Sequence, residues 1–135
     1  MNVPTLSRLL AIAAVATGLF SSVACAAEKA PSHGSIAVPG GLKPEAVKEA
    51  IASALAVRNW TVTEKTGEKV VGHIKQKNNE AILTIYYTQK EITLSCEGWK
   101  LGKIGERSKP EIPKSWVDNI KKDVTNRLNE MATAR

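Results

Sequence analysis

The chain predicts a two-layer α+β fold: a helix, a four-stranded antiparallel meander and a second helix, with both helices on one face of the sheet. Three observations carry this. Residues 60–98 read as short strand segments separated by tight turns, and Ala81-Ile82-Leu83-Thr84-Ile85-Tyr86-Tyr87 is the most strand-like run. Residues 43–58 and 113–132 each keep apolar side chains at helical spacing. Closing two hairpins then sends the apolar strand residues to one face, which gives both helices a single surface to cover.

The 135 residues hold one domain. Residues 1–26 read as a secretory signal peptide, with Arg8 as the positive n-region, an apolar run over 9–20, and Ala24 and Ala26 as the small residues before the cut. The apolar run is shorter than the roughly 20 residues a transmembrane helix needs. Ser22-Val23-Ala24-Cys25 offers a second reading, a degenerate lipobox in which Cys25 is acylated and becomes the mature N-terminus. Both readings export the chain to the periplasm, and only the second anchors it to a membrane. Cleavage after Ala26 leaves 109 residues, and losing Arg8 takes the formal charge from +6 to +5. Cys96 is then the sole cysteine, so no internal disulfide forms.

Residues 27–41 (AEKAPSHGSIAVPGG) are rich in Gly, Pro, Ser and Ala and read as a flexible linker, with His33 a solvated linker residue. The α+β domain follows over 42–135. In the first helix, 43–58, Pro44 suits the first turn, Glu45 complements the positive helix end, and Val47, Ile51, Ala54 and Leu55 form the apolar stripe. Asn59 accepts the left-handed conformation that stops a helix.

Strand one spans 60–65 and strand two 70–77. A loop at Asn78-Asn79 sets Ile74 opposite Leu83, Gly72 opposite Ile85 and Val70 opposite Tyr87. A second turn at Gln89-Lys90 sets Ile92 opposite Tyr87, Leu94 opposite Ile85 and Cys96 opposite Leu83. The covered face therefore holds Trp60, Val62, Ile74, Ala81, Leu83, Ile85, Tyr87, Ile92, Leu94 and Cys96. The open face reads in three rows, Val71-Tyr86-Thr93, His73-Thr84-Ser95 and Lys75-Ile82-Glu97, mostly polar as a wet sheet face should be. Residues 99–114 form an irregular basic loop carrying Lys100, Lys103, Arg107, Lys109 and Lys114. In the second helix Trp116, Val117, Ile120, Val124, Leu128 and Met131 keep helical spacing.

The succession of a helix, Asn59-Trp60-Thr61-Val62, Gly72-His73-Ile74, the run at 81–87, Ile92-Thr93-Leu94-Ser95-Cys96 and Trp116-Val117 resembles a family of small exported proteins and lipoproteins of proteobacteria. Its members read GWxV, GxI, AxVxIxY, YSIxY and YNxWV in those places. The resemblance covers about 43–128 and departs at Asn59, where Gly is usual, at Cys96, a Tyr position, and at Pro113-Lys114-Ser115. It implies an envelope location and this fold, and it carries no catalytic residue across.

The chemistry is sparse. A Cys96–His73 pair would be an activated nucleophile, but the alternation puts the thiol on the covered face and the imidazole on the open one. His73 beside Thr84 and Ser95 has the composition of a hydrolase site without a carboxylate to orient the ring. Asp118 and Asp123 read as solvated charges on the second helix. Cofactor and metal-ligand spacings are missing from the sequence. The basic loop is the main functional signal, with anionic lipid or lipopolysaccharide head groups or an acidic envelope protein as partners. Nucleic acid fits neither the compartment nor the single loop aromatic, Trp99. The expectation is a non-catalytic envelope accessory or binding module acting through the basic loop or the open face. The alternatives are a lipid-anchored assembly subunit, or a small hydrolase or thiol enzyme using His73 and Cys96.

Overall fold

A computed structural model describes residues 32–134. The leader, its cleavage point and Cys25 lie outside the described residues. In chain order the elements are β1 (Ser32–Ala37), α1 (Pro44–Val57), β2 (Thr61–Lys65), β3 (Lys69–Gln76), β4 (Asn79–Tyr87), β5 (Glu91–Leu101), β6 (Arg107–Pro110) and α2 (Lys114–Thr133). The expected α+β architecture is present, with two strands added to the four-stranded meander. The sheet runs β1-β5-β4-β3-β2, and β6 pairs with the far end of β5. All its pairings are antiparallel.

Helix α1 forms because Pro44 opens its first turn beside Glu45 while Val47, Ala50, Ile51, Ala54 and Leu55 line one buried stripe. It stops at Asn59, whose φ of 68° lets the Trp60 N–H reach Leu55 O at 3.0 Å and the Asn59 N–H reach Ala56 O at 3.0 Å. That double bond is the Schellman arrangement, with Asn in place of the commoner Gly. Helix α2 buries Val117, Ile120, Val124 and Leu128. Both helices join one core with Val70, Ile74, Ala81, Leu83, Ile85, Tyr87, Ile92, Leu94 and Cys96, so they cover the same sheet face. Trp60 and Trp116 meet edge-to-face at 6.4 Å, and Arg58 Nε donates to Asp123 Oδ2 at 2.7 Å. Asp123 is thus the partner of Arg58 across the two helices, not a solvated charge.

Three local expectations are corrected. Residues 32–37 are a strand where a flexible linker was expected: Ile36 faces Ile92 and is buried, and Ser35 faces Thr93. A single inward apolar residue gives no readable alternation, and Gly34, at φ 108°, sits within a bulge that breaks the pattern further. The β3–β4 hairpin turns at Lys77-Asn78, with Lys77 taking the positive φ of 56°. Val70 therefore faces Ile85, Gly72 faces Leu83 and Ile74 faces Ala81, two residues away from the expected register. A slip of two keeps every side chain on its face but changes its neighbours. The β4–β5 pairing is as expected, Tyr87 with Ile92, Ile85 with Leu94 and Leu83 with Cys96. Finally, the basic loop is largely a hairpin, since β5 continues to Leu101 and β6 returns beside it.

Candidate functional site

The revised β3–β4 register places Glu80 opposite Lys75 and diagonal to His73. Diagonal neighbours on an antiparallel pair lie within reach of long side chains. His73 Nε2 meets Glu80 Oε2 at 2.7 Å. From the other side Arg107 Nε donates to Glu80 Oε1 at 2.8 Å and Arg107 Nη2 to Glu80 Oε2 at 3.2 Å. Arg107 reaches inward because β6 folds back with Arg107 opposite Leu101, and its Cζ stacks 3.7 Å above the centre of the Trp99 ring. The carboxylate of Glu80 is buried on the nominally open face.

The paired Arg107 guanidinium, and after it the His73 contact, hold the Glu80 carboxyl down to about 2. An ionised carboxylate only accepts, so His73 Nε2 carries the proton in this contact. A carboxylate with three donors and so low a pKa is a weak base, and it takes no part in a nucleophile–base arrangement. Its evident effect is mechanical: β3, β4 and β6 are tied together at one point. The expected row His73-Thr84-Ser95 does not exist. His73 faces Ile82, and Thr84 sits between Val71 and Ser95.

Cys96 lies in the core at 4% exposure, and burial pushes its thiol up to about 11. Its Sγ–H donates to Glu97 O at 3.5 Å. It occupies the face opposite His73, so the thiol–imidazole pair required by a thiol enzyme does not form.

The five basic residues expected to act together separate. Lys100 and Lys109 stand directly opposite one another on β5 and β6, and Lys103 lies in the loop between these strands. Arg107 turns inward to Glu80. Lys114 opens α2 and borders a separate cavity of about 270 Å³ with His33, Val117, Asp118 and Lys121. His33 is half-buried in β1 rather than solvated, and its Nε2 has no hydrogen-bond partner among the described residues.

Lys75 and Lys77, outside the basic stretch 99–114, adjoin the same hairpin. Leu101 N donates to Asn78 O at 2.7 Å, which sets the β3–β4 loop with Lys77 beside the β5–β6 hairpin. Lys75 Nζ approaches to 3.9 Å from the position a Cβ would take on Gly105. Lys75, Lys77, Lys100, Lys103 and Lys109 form no ion pair among the described residues. Glu106, the acidic residue within the loop, is used internally: its Oε1 accepts from the Ile104 N–H at 3.2 Å. Ile104 itself is 89% exposed.

Among the described residues no three His, Cys, Asp or Glu side chains converge as a metal site, and no helix is long and apolar enough to cross a membrane. No family model, curated protein or solved structure matches the chain.

Proposed function

We propose that this protein is a non-catalytic binding module of the cell envelope that holds an anionic partner at the lysine-rich end of its sheet. One observation carries the reading: Lys75 and Lys77 lie on a hairpin held beside the one that carries Lys100, Lys103 and Lys109, none of the five forms an ion pair among the described residues, and the scaffold is braced by Glu80 and Arg107. Unpaired like charges raise the local potential and attract a polyanion, at a cost in self-repulsion that such a partner removes. The leader-like segment at 1–26 and the resemblance to exported proteobacterial proteins support a periplasmic location, with Cys25 as the anchor if it is acylated.

Arg107 contributes to the brace and not to the contact. The decisive variant is therefore Lys103→Glu with Lys109→Glu, both exposed positions. Capture of envelope components by the mature chain is expected to fall sharply in this double variant, and equal capture would remove the lysine-rich end as the contact. Intact-mass measurement separates the two forms of attachment: an N-terminus at Ala27 excludes the lipid anchor, and a diacylated Cys25 establishes it.

A further inference from the structure

We infer that the β5–β6 hairpin is a wedge for the surface of an anionic phospholipid bilayer, with Ile104 entering the headgroup boundary while Lys75, Lys77, Lys100, Lys103 and Lys109 face the phosphates around it. This rests on the polyanion-binding reading and names its partner.

The tip residue points to lipid. A soluble polyanion or an acidic protein strand needs only the lysines, whereas an isoleucine held 89% exposed gains free energy only where apolar surface is available to cover it. Its placement fits such an insertion. Gly102 N donates to Glu106 O at 2.8 Å and Gly105 N to Gly102 O at 3.0 Å, so the loop closes on itself and turns the Ile104 side chain to solvent.

The base of the wedge is anchored on both strands. Arg107 is fixed by Glu80 and Trp99 on one strand of the hairpin, and Leu101 ties the other to Asn78. A pre-organised tip loses little conformational freedom on docking. The charge arrangement agrees. Lys100 faces Lys109 across the hairpin, a like-charge pair that is unfavourable in the free protein and is relieved beside anionic headgroups. Lys100 and Lys109 occupy one face of the hairpin while Lys75 approaches Gly105, so cations flank the apolar tip on more than one side.

The test uses residues 27–135, which contain the whole compact unit Pro31–Arg135. Co-sedimentation is measured with phosphatidylglycerol–phosphatidylcholine vesicles, with phosphatidylcholine vesicles, and by competition with soluble polyphosphate. Binding is expected to the anionic vesicles alone, weakened about fivefold for each lysine neutralised. Ile104→Ser should weaken it by about tenfold or more, since a buried isoleucine is lost. An environment-sensitive fluorophore attached at Ile104→Cys, with Cys96 buried and unreactive, should shift to the blue on these vesicles. Unchanged vesicle affinity in Ile104→Ser with an unshifted fluorophore would overturn the insertion and leave the lysine-rich end as a purely ionic contact. Charge-dependent polyphosphate binding without vesicle binding would overturn the lipid partner and again leave that reading standing. Insensitivity of both ligands to Lys103→Glu with Lys109→Glu would sink both.

Discussion

Glu80 is the residue on which the open face turns. The sequence hides its role: the expected register puts it opposite Lys77, beyond reach of His73, whereas a two-residue slip sets it diagonal to the ring. Nothing in the hydrophobic pattern distinguishes these registers, since both leave the same side chains inside. The consequence for stability has a definite sign. Folding holds the Glu80 carboxyl near 2, below its ordinary 4.5, so its contribution is present above about pH 4.5 and is lost as pH falls toward 2. Glu80→Gln is expected to cost about 2 kcal/mol at neutral pH, since it removes the charge paired with Arg107 and replaces one accepting oxygen by an amide NH2 that faces other donors. Thermal melts of both proteins from pH 7 to pH 2 check this: the gap between them should close as acid protonates the native carboxylate. Cys96 gives a second outcome at this scale. With its thiol raised from 9.0 to about 11, the reactive thiolate is about a hundredfold scarcer at pH 8 than in an unperturbed thiol, before burial blocks access. Alkylation followed by mass spectrometry should label Cys96 only after denaturation.

At the level of elements, two glycines mark where neighbouring groups leave no room for a side chain, packed side chains at Gly72 and backbone at Gly98. Gly72 lies under α1, where an added Cβ would stand 3.0 Å from Leu55 Cδ2 and 3.4 Å from Trp60 Cε3. Gly72→Ala should therefore overpack the α1–β3 contact and cost about 1–3 kcal/mol in chemical denaturation. At Gly98 the same Cβ would stand 2.5 Å from Glu111 O, a backbone atom that cannot swing away. Gly98 O also accepts from Glu111 N, so Gly98→Ala should loosen the segment joining β6 to α2, read out as faster amide exchange at Glu111. The helices were legible from spacing alone because four-turn stripes outvote local noise. Strands β1 and β6 were not. Each is short, Ser32–Ala37 with one inward apolar residue and Arg107–Pro110 with none buried, so their pairing comes from the exposed edge that β5 offers. Asn59 was read correctly because its conformational preference is local and owes nothing to tertiary context.

Across the described residues, one face of the sheet makes the core and the other is braced by a buried carboxylate, while Lys75, Lys77, Lys100, Lys103 and Lys109 are carried by two adjoining hairpins. This clustering is a property of topology. Lys75 and Lys77 are more than twenty residues from Lys100 along the chain, and only the side-by-side hairpins unite them. The basic stretch was visible in the sequence, but its division was not: Arg107 turns inward, Lys114 departs to α2, and Lys75 and Lys77 take their places. The account's central claim is that this end captures an anionic partner. Its most direct test is the affinity of residues 27–135 for phosphatidylglycerol-containing vesicles as salt is raised, beside the variant carrying Lys103→Glu and Lys109→Glu. The native chain should bind with an affinity that falls steeply with salt, and the variant at least tenfold more weakly at low salt. Equal affinities at every salt concentration would contradict the account.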